Sequence, residues 1–233
     1  MFDTGCYANR EILIDALKKR GLVPSDIHAI ILSHLHYDHS LNLPLFEHAT
    51  VYVSRKEIEY AGEVGRQRKK DFAIPDNWRD LLARKNVVEV EATLQLAPEA
   101  WVTTSPGHTP GSLVLFLKKS RTVAVCGDAI KNTWEAIKGN VVQAFGNRSE
   151  ARKSIKRIIS VADLIVPGHD RALCLKPKGV YYPQRLTWNL IMNLYPDYEG
   201  KVIFRLRRWK GIVPYSARPM HEKRIRPETN GAN

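Results

Sequence analysis

The sequence predicts an α/β domain in which sheets and helices form layers. Three observations indicate this class: short apolar or alternating runs typical of strands recur along the chain, amphipathic helical segments lie between and after them, and loops follow the strand ends. The chain has 233 residues, 44% hydrophobic and 26% charged, so it can bury a substantial core without disulfides. We therefore expect one large domain, or one domain with an appendage.

Strands are predicted where apolar residues run together or alternate with polar ones. In chain order these segments are 1–3 (a strand end), 29–33, 50–54, 87–91, 101–104, 113–117, 122–126, 164–166 and 202–209. The polar and basic segment 62–80 is predicted to form a long loop or lid, and the residues from Pro214 onward a tail.

Helices are predicted where apolar residues recur at helical spacing. The segment 9–20 carries its apolar residues on one face, and Gly21 suits the position after a helix end. Asn147, with Glu150 three residues later, resembles a capping box that begins another helix. Two further helices are expected at 55–61 and 184–195.

Charge and composition limit the partners. The formal net charge is +12, and residues 201–233 hold nine Lys or Arg and two Glu, an excess of seven positive charges. Such a basic tail either binds nucleic acid or another anionic partner, or simply keeps the protein in solution. No apolar run approaches the roughly 20 residues that span a bilayer, and the N-terminus lacks a signal-peptide pattern. The three cysteines form no CxxC pair, so we expect reduced thiols, a cytoplasmic location and no membrane partner.

The segment His34-Leu-His-Tyr-Asp-His39 is the strongest chemical signal in the chain. In extended backbone, residues two apart point the same way, so His34 and His36 can bind one metal ion. Asp38 and His39 follow where a turn can direct them toward a second ion. Imidazole and carboxylate ligands suit zinc, iron or manganese, and the lack of a nearby thiolate pair argues against a closed structural zinc site.

Three further segments place a histidine or an aspartate after a predicted strand. They contain His108 in SPGHTPGS, Asp128 in CGD, and His169 with Asp170 in VPGHD. Each is unspecific by itself. Because the strands of one layered domain bring their ends to a common edge, we expect these side chains to converge with the HLHYDH segment.

The motifs HLHYDH, SPGHTPGS, CGDA and VPGHD, in this order, resemble those of the metallo-β-lactamase-fold hydrolases, and the DTG at 3–5 matches a strand end of that family. The resemblance implies an αββα sandwich with two divalent metal ions, zinc before iron or manganese, at one edge of its sheets. It implies that His34, His36 and His108 bind the first ion. It implies that Asp38, His39 and His169 bind the second ion and that Asp128 bridges the two.

The resemblance covers residues 3 to about 174, so we expect a metallo-β-lactamase-like domain over 1–175 and a basic C-terminal extension over 176–233. Within the superfamily, the sequence is similar to the lactonase-like hydrolases and to small metallo-β-lactamase domain-containing proteins. Family members usually have several tens of residues before DTG. We therefore expect short or missing N-terminal strands in the first sheet and a natural start upstream.

The expected function is that of a metal-dependent hydrolase acting on a small molecule. A hydroxide bound by two metal ions would attack an ester, lactone or thioester, while Asp38 ligates the second ion, orients the nucleophile and accepts its proton. One alternative is a metal-dependent phosphodiesterase or ribonuclease whose basic segments 66–70 and 205–210 neutralise phosphates. Another is a non-catalytic metal-containing protein that binds RNA or a partner. A homodimer is left open.

Overall fold

The protein is represented by a computed structural model that describes residues 1–177 and 179–183 and the backbone of 186–193, 201–208 and 211–214. The chain divides into two compact units, Met1–Asp170 and Arg171–Asn233. The predicted domain boundary between residues 175 and 176 stays a prediction.

The first sheet of the N-terminal unit consists of three parallel strands in the order β1-β2-β3. These are β1 (Ala29–Ile31), β2 (Thr50–Ser54) and β3 (Asn86–Val90). Phe2 adds an isolated parallel bridge to Ile31 at the edge of this sheet. The three strands confirm the predictions for this part of the sequence to within two residues at each end.

The second sheet has five strands in sequential order. They are β4 (Thr93–Ala97), β5 (Ala100–Thr104), β6 (Leu113–Lys118), β7 (Thr122–Val125) and β8 (Leu164–Val166). The first four pair antiparallel, whereas β8 lies parallel to β7. The sequence prediction missed β4, although Leu94 and Leu96 alternate with more exposed residues along it.

Among the described residues of the N-terminal unit, six α-helices connect and flank the sheets. They are α1 (Arg10–Lys18), α2 (Tyr37–Ser40), α3 (Arg55–Gly65), α4 (Trp78–Ala83), α5 (Thr133–Lys138) and α6 (Arg148–Val161). The predicted loop 62–80 is therefore wrong at both ends, because α3 runs past Ala61 and α4 begins at Trp78. Asn147 does cap α6, since its side chain accepts hydrogen bonds from the backbone N–H groups of Ser149 and Glu150 at 2.8 and 3.1 Å.

Alternating side chains of the first sheet separate two apolar layers. On β1, Ile30 packs in a cluster with residues of α1, α3 and α4, whereas Ile31 packs in a cluster with Val102 and Leu113 of the second sheet. On β6, Val114 and Phe116 are buried on the opposite face from Leu113. Helix α6 buries Ala151, Ile155 and Ile158. This arrangement agrees with the αββα sandwich that the sequence predicts.

The described residues of the C-terminal unit form five strands. They are β9 (Cys174–Lys176), β10 (Gly179–Tyr182), β11 (Leu186–Asn193), β12 (Lys201–Arg208) and β13 (Gly211–Pro214). Strands β13, β10 and β9 form one antiparallel sheet, and β11 pairs with β12 over eight residues. The predicted helix at 184–195 is wrong over Leu186–Asn193, because cross-strand pairing and the β-favouring Thr187, Trp188 and Ile191 outweigh the helical pattern.

The predicted strand at 202–209 is confirmed as far as Arg208. Trp209 and residues 215–233, which include almost all of the predicted tail, lie outside the described residues. In the part of the chain that the structure describes, no helix is both long enough and apolar enough to cross a bilayer.

Candidate metal centre

Four strand ends carry all seven side chains that the sequence singled out as metal ligands. After β1, the chain presents His34 and His36 in a loop and then Asp38 and His39 on α2. His108 lies between β5 and β6, Asp128 lies on a 3-10 helix after β7, and His169 follows β8. The structure brings these residues to one edge of the sandwich, as the order of strands and loops predicts.

The histidine rings pack closely in this cluster. The ring centre of His34 lies 4.4 Å from that of His36, 4.2 Å from that of His39 and 4.9 Å from that of His108. His169 joins on the other side, with its ring centre 5.3 Å from that of His39. Five imidazoles packed this closely supply more ring nitrogens than they can pair with one another, and a cation between them would explain the arrangement.

Potential ligand atoms group around two positions. In each group the nitrogen or oxygen atoms lie within 4.8 Å of one another. The first group is His34, His36 and His108, and the second is Asp38, His39 and His169. A third set, His34, His39 and Asp128, links them.

Asp128 lies between the two groups and is only 3% exposed. Its Oδ1 atom is 3.1 Å from His169 Nε2 and 3.4 Å from His39 Nε2, whereas its Oδ2 atom is 3.3 Å from His108 Nε2. One carboxylate oxygen therefore faces each group. A bridging ligand needs this orientation.

Carboxylates outside the cluster determine which ring nitrogen points inward. The Nε2 atom of His36 contacts Asp71 Oδ2 at 2.9 Å, so its Nδ1 faces His108 Nε2 at 3.1 Å. The Nδ1 atom of His39 contacts Asp3 Oδ2 at 2.8 Å, which leaves Nε2 toward Asp128. Such contacts orient metal-binding imidazoles and raise their basicity.

Asp3 occupies a left-handed backbone conformation, with φ of 53°, that is uncommon for a residue other than glycine. Besides His39, its carboxylate accepts hydrogen bonds from the N–H of Ser33 at 2.6 Å and the hydroxyl of Ser33 at 2.8 Å. These contacts connect the N-terminal segment to the loop that holds His34. The strained backbone is retained where it places a side chain at the centre.

Burial and charge set the protonation of the cluster. Burial lowers the pKa of His34 well below its ordinary value and the pKa of His108 to about 3. Both rings are therefore neutral at neutral pH, and each has a nitrogen lone pair available to a metal ion. Burial disfavours the Asp128 carboxylate, but the nearby His169 and His39 imidazoles outweigh it and hold its pKa far below the ordinary range.

Two other imidazoles of the cluster, His39 and His169, have raised pKa values instead. Burial disfavours a charge on His39, but Asp3 and the other surrounding carboxylates raise its pKa well above the ordinary value. Its contact with Asp128 is the main cause that raises the pKa of His169. Cations that bind here must therefore displace protons from these two rings.

The donor atoms fit a metal ion. His34 Nε2, His39 Nε2 and Asp128 Oδ1 are buried, and none has a hydrogen-bond partner of good geometry among the described residues. Buried polar atoms are normally paired, because an unpaired one loses its interaction with water without replacement. Imidazole and carboxylate donors in this number suit zinc, with iron and manganese as the other candidates.

Two glycines allow the loops to approach this closely. A Cβ atom on Gly168 would lie 2.4 Å from Asp128 Oδ1. Gly107 has a φ of 144°, and a Cβ atom there would lie 2.2 Å from the Cα of Ala151 on α6. The glycines that precede His108 and His169 therefore have a steric function.

Two buried residues of the centre escaped the sequence analysis. Asp71 lies in the segment predicted to be a long loop or lid, and Glu57 lies in the first turn of α3. Glu57 is 0% exposed and accepts hydrogen bonds from the N–H groups of Leu35 at 3.0 Å and Gly111 at 3.1 Å. It thereby joins the loop of His34 and His36 to the loop of His108. No local motif in the sequence marks either acid.

One wall of the centre is aromatic. The Phe145 ring packs edge-on against His36 at 5.0 Å and His108 at 5.7 Å between ring centres. Phe72 contacts Phe145 at 5.6 Å and is 82% exposed. Tyr37, which adjoins His36, is 44% exposed. Apolar ring surface therefore lies beside the first ligand group.

Comparison with known proteins agrees with this geometry. A family model described as the metallo-beta-lactamase superfamily matches residues 1–169. A probable metallo-hydrolase from Methanocaldococcus jannaschii is 29% identical over 189 residues, which are 79% of this chain and 73% of that protein. An N-acyl homoserine lactonase from a Bacillus species is 30% identical over 164 residues, which are 68% of this chain and 62% of that protein.

A similar solved structure is that of a quorum-quenching N-acyl homoserine lactone lactonase. It has 26% sequence identity and a TM-score of 0.59, and the match covers 72% of this chain and 73% of that one. The chain spans less than two thirds of the length of several curated relatives that it matches.

Proposed function

The chain belongs to the metallo-beta-lactamase superfamily, and we propose that it is a metal-dependent hydrolase that cleaves an ester, lactone or thioester of a small substrate. The relatives named as a metallo-hydrolase and a lactonase support this class of enzyme. The observation that carries the proposal is the position of Asp128, whose two oxygens face the two groups of candidate ligands.

His34, His36 and His108 would hold one ion, and Asp38, His39 and His169 a second one, with Asp128 shared between them. Zinc is the ion that we expect first, because a set of imidazoles and carboxylates without thiolates suits it. When bound, two divalent ions supply a water of lowered pKa and polarise the substrate carbonyl.

The chain's own residues supply the rest of the chemistry. The Oδ2 atom of Asp38 lies 3.5 Å from His39 Nε2 and 3.4 Å from His169 Nε2, and its side chain remains 32% exposed. Burial disfavours its charge, but the contact with His39 outweighs burial and lowers its pKa, so that Oδ2 is an ionised acceptor for the proton of an attacking water. Lys131, with Nζ 3.6 Å from Asp128 Oδ2, places a positive charge beside the carboxylate that faces both ligand groups.

The aromatic wall favours a substrate with an apolar group beside its reacting carbonyl. Phe72 and Phe145 offer ring surface next to His36 and His108, and burial of apolar surface there would contribute about 25 cal/mol per Å². Lactones and esters with an acyl chain have this character.

A phosphodiester is the second candidate substrate. Four exposed cations, Arg66, Arg68, Lys69 and Lys70, immediately precede Asp71, which contacts the candidate ligand His36. Cations near a metal centre would neutralise phosphates and make binding depend strongly on salt. A homodimer, a nucleic-acid partner and a cytoplasmic location stay predictions.

Elemental analysis of the purified protein, combined with assays on ester, lactone, thioester and phosphodiester panels, tests the proposal. We expect about two divalent ions per chain and hydrolysis of carbonyl substrates that Asp128→Ala abolishes. A metal-loaded protein that cleaves only phosphodiesters would favour the second candidate, and full activity in the Asp128→Ala variant would refute the shared-ligand arrangement.

A further inference from the structure

The irregular segment between α3 and α4, residues 66–77, brings one carboxylate into the metal centre. Residues 66–70 and Phe72 are exposed, whereas the side chain of Asp71 is 0% exposed. Ala73 and Ile74 of the same segment are buried as well, but they are apolar. A carboxylate buried beside them needs a specific reason, because a buried carboxylate is unfavourable unless it is paired and hydrogen-bonded.

Three hydrogen bonds hold the Asp71 carboxylate. Its Oδ2 atom accepts from the Tyr60 hydroxyl at 2.8 Å and contacts His36 Nε2 at 2.9 Å, and its Oδ1 atom accepts from the Ala73 N–H at 3.0 Å. The carbonyl of Ala73 in turn accepts from the N–H of Tyr37 at 2.8 Å. Asp71 therefore connects three parts of the chain by hydrogen bonds: helix α3, the 66–77 segment and the HLHYDH loop.

The contact with Asp71 determines what His36 can offer to an ion. An imidazole whose Nε2–H donates a hydrogen bond to a carboxylate keeps the Nδ1 lone pair free, and Nδ1 of His36 points to His108 Nε2. Without the carboxylate, the ring could donate from either nitrogen and would be free to turn.

We propose that Asp71 is a positioning residue of the metal centre, which fixes the His36 nitrogen presented to the first ion and couples the 66–77 segment to metal occupancy. This inference rests on the ligand assignment of the proposed function. By linkage, the ion must then stabilise the segment as much as the segment stabilises the bound ion.

The coupling can be observed without any activity measurement. The exposed residues Arg66, Arg68, Lys69 and Lys70 are sites for trypsin immediately before Asp71. Trypsin cuts a segment that opens locally, so a bound ion that holds His36 and Asp71 in place slows cleavage at this run.

The test compares wild type with Asp71→Ala, Asp71→Asn, Tyr60→Phe and the control Asp76→Asn, an exposed acid of the same segment. Zinc affinity is measured by competition with a chromophoric chelator, cobalt coordination by visible absorption, and cleavage at 66–70 by mass spectrometry with and without zinc. We expect zinc binding about 10–100-fold weaker in Asp71→Ala, with smaller losses in Asp71→Asn and Tyr60→Phe and none in Asp76→Asn. Zinc should protect the run in wild type and lose that effect in Asp71→Ala.

The possible results separate this inference from the proposed function. A wild-type chain that binds no divalent ion refutes the proposed function itself. A wild type that binds zinc, with an Asp71→Ala variant of equal affinity, equal cobalt spectrum and equal protection, refutes only the role of Asp71. If Asp71→Ala does not fold, wild-type zinc affinity in both Asp71→Asn and Tyr60→Phe refutes that role as well.

Discussion

Replacement of Glu57 tests whether one buried acid holds the two ligand loops together. Its oxygens accept the N–H groups of Leu35, between His34 and His36, and of Gly111, in the loop of His108. Both N–H groups belong to buried residues. The change Glu57→Ala removes both acceptors without offering a substitute, and Glu57→Gln keeps one oxygen.

The expected loss can be worked out from these two contacts. A buried N–H left without an acceptor costs about 1–3 kcal/mol, so two of them cost about 2–6 kcal/mol. Part of this is offset, because burial raises the pKa of Glu57 and shows that its charged form is held at a disadvantage. We expect Glu57→Ala to lower the free energy of unfolding by about 3 kcal/mol and Glu57→Gln by about 2 kcal/mol, against a typical total of about 5–15 kcal/mol.

Urea unfolding at pH 7 measures these differences. A chelator is included, because a bound ion would add its own stabilisation and mask them. The matched control is Glu59→Ala, an exposed acid on the same helix, for which a change within about 0.5 kcal/mol is expected. The reasoning is refuted if the free energies of unfolding of Glu57→Ala and Glu59→Ala differ by less than about 1 kcal/mol. Two buried N–H groups without acceptors should cost at least about 2 kcal/mol.

Four further outcomes follow from the structure. The pKa of Glu57 is raised above its ordinary value of 4.5, so the stability of wild type relative to Glu57→Gln should be greatest at low pH and fall as the pH rises through the raised pKa. Urea unfolding of both proteins from pH 4 to pH 7 measures this trend. Gly107→Ala should be far more destabilising than Gly139→Ala, because a Cβ atom at Gly107 would clash with α6 whereas one at Gly139 meets nothing within 4 Å. Gly139→Ala should cost only about 1 kcal/mol, for its left-handed φ of 60°, and thermal unfolding compares the two. Phe72→Ala should raise KM for long-chain esters with little change in kcat, and equal kinetics would argue against the aromatic wall as a substrate surface. Asp128→Ala should lose bound metal while its far-ultraviolet circular dichroism stays that of wild type, and retained metal would contradict the shared ligand.

The sequence identified the candidate ligands because each lies in a short motif that follows a strand. His108 and His169 are remote from His34 along the chain, yet the order of strands brings them to one edge. The position of Asp71 beside His36 could not be predicted in this way, since nothing in the basic run before it indicates that the segment turns inward. The helix predicted at 184–195 failed for a related reason: pairing between β11 and β12 is a non-local interaction that local periodicity does not reveal.

The supporting acids show why the motifs alone do not make the centre. Buried imidazoles and one central carboxylate would lose hydration on folding, and several of their inward atoms have no partner within the described part of the chain. Asp3, Glu57 and Asp71 bind the outward nitrogens or the loop backbone instead, so the inward atoms stay free and fixed in direction. Each of these acids is remote in the sequence from the loop that it holds. The proposed metal affinity would therefore depend on the folded sandwich, and a segment carrying only the HLHYDH motif should bind an ion far more weakly than the intact chain.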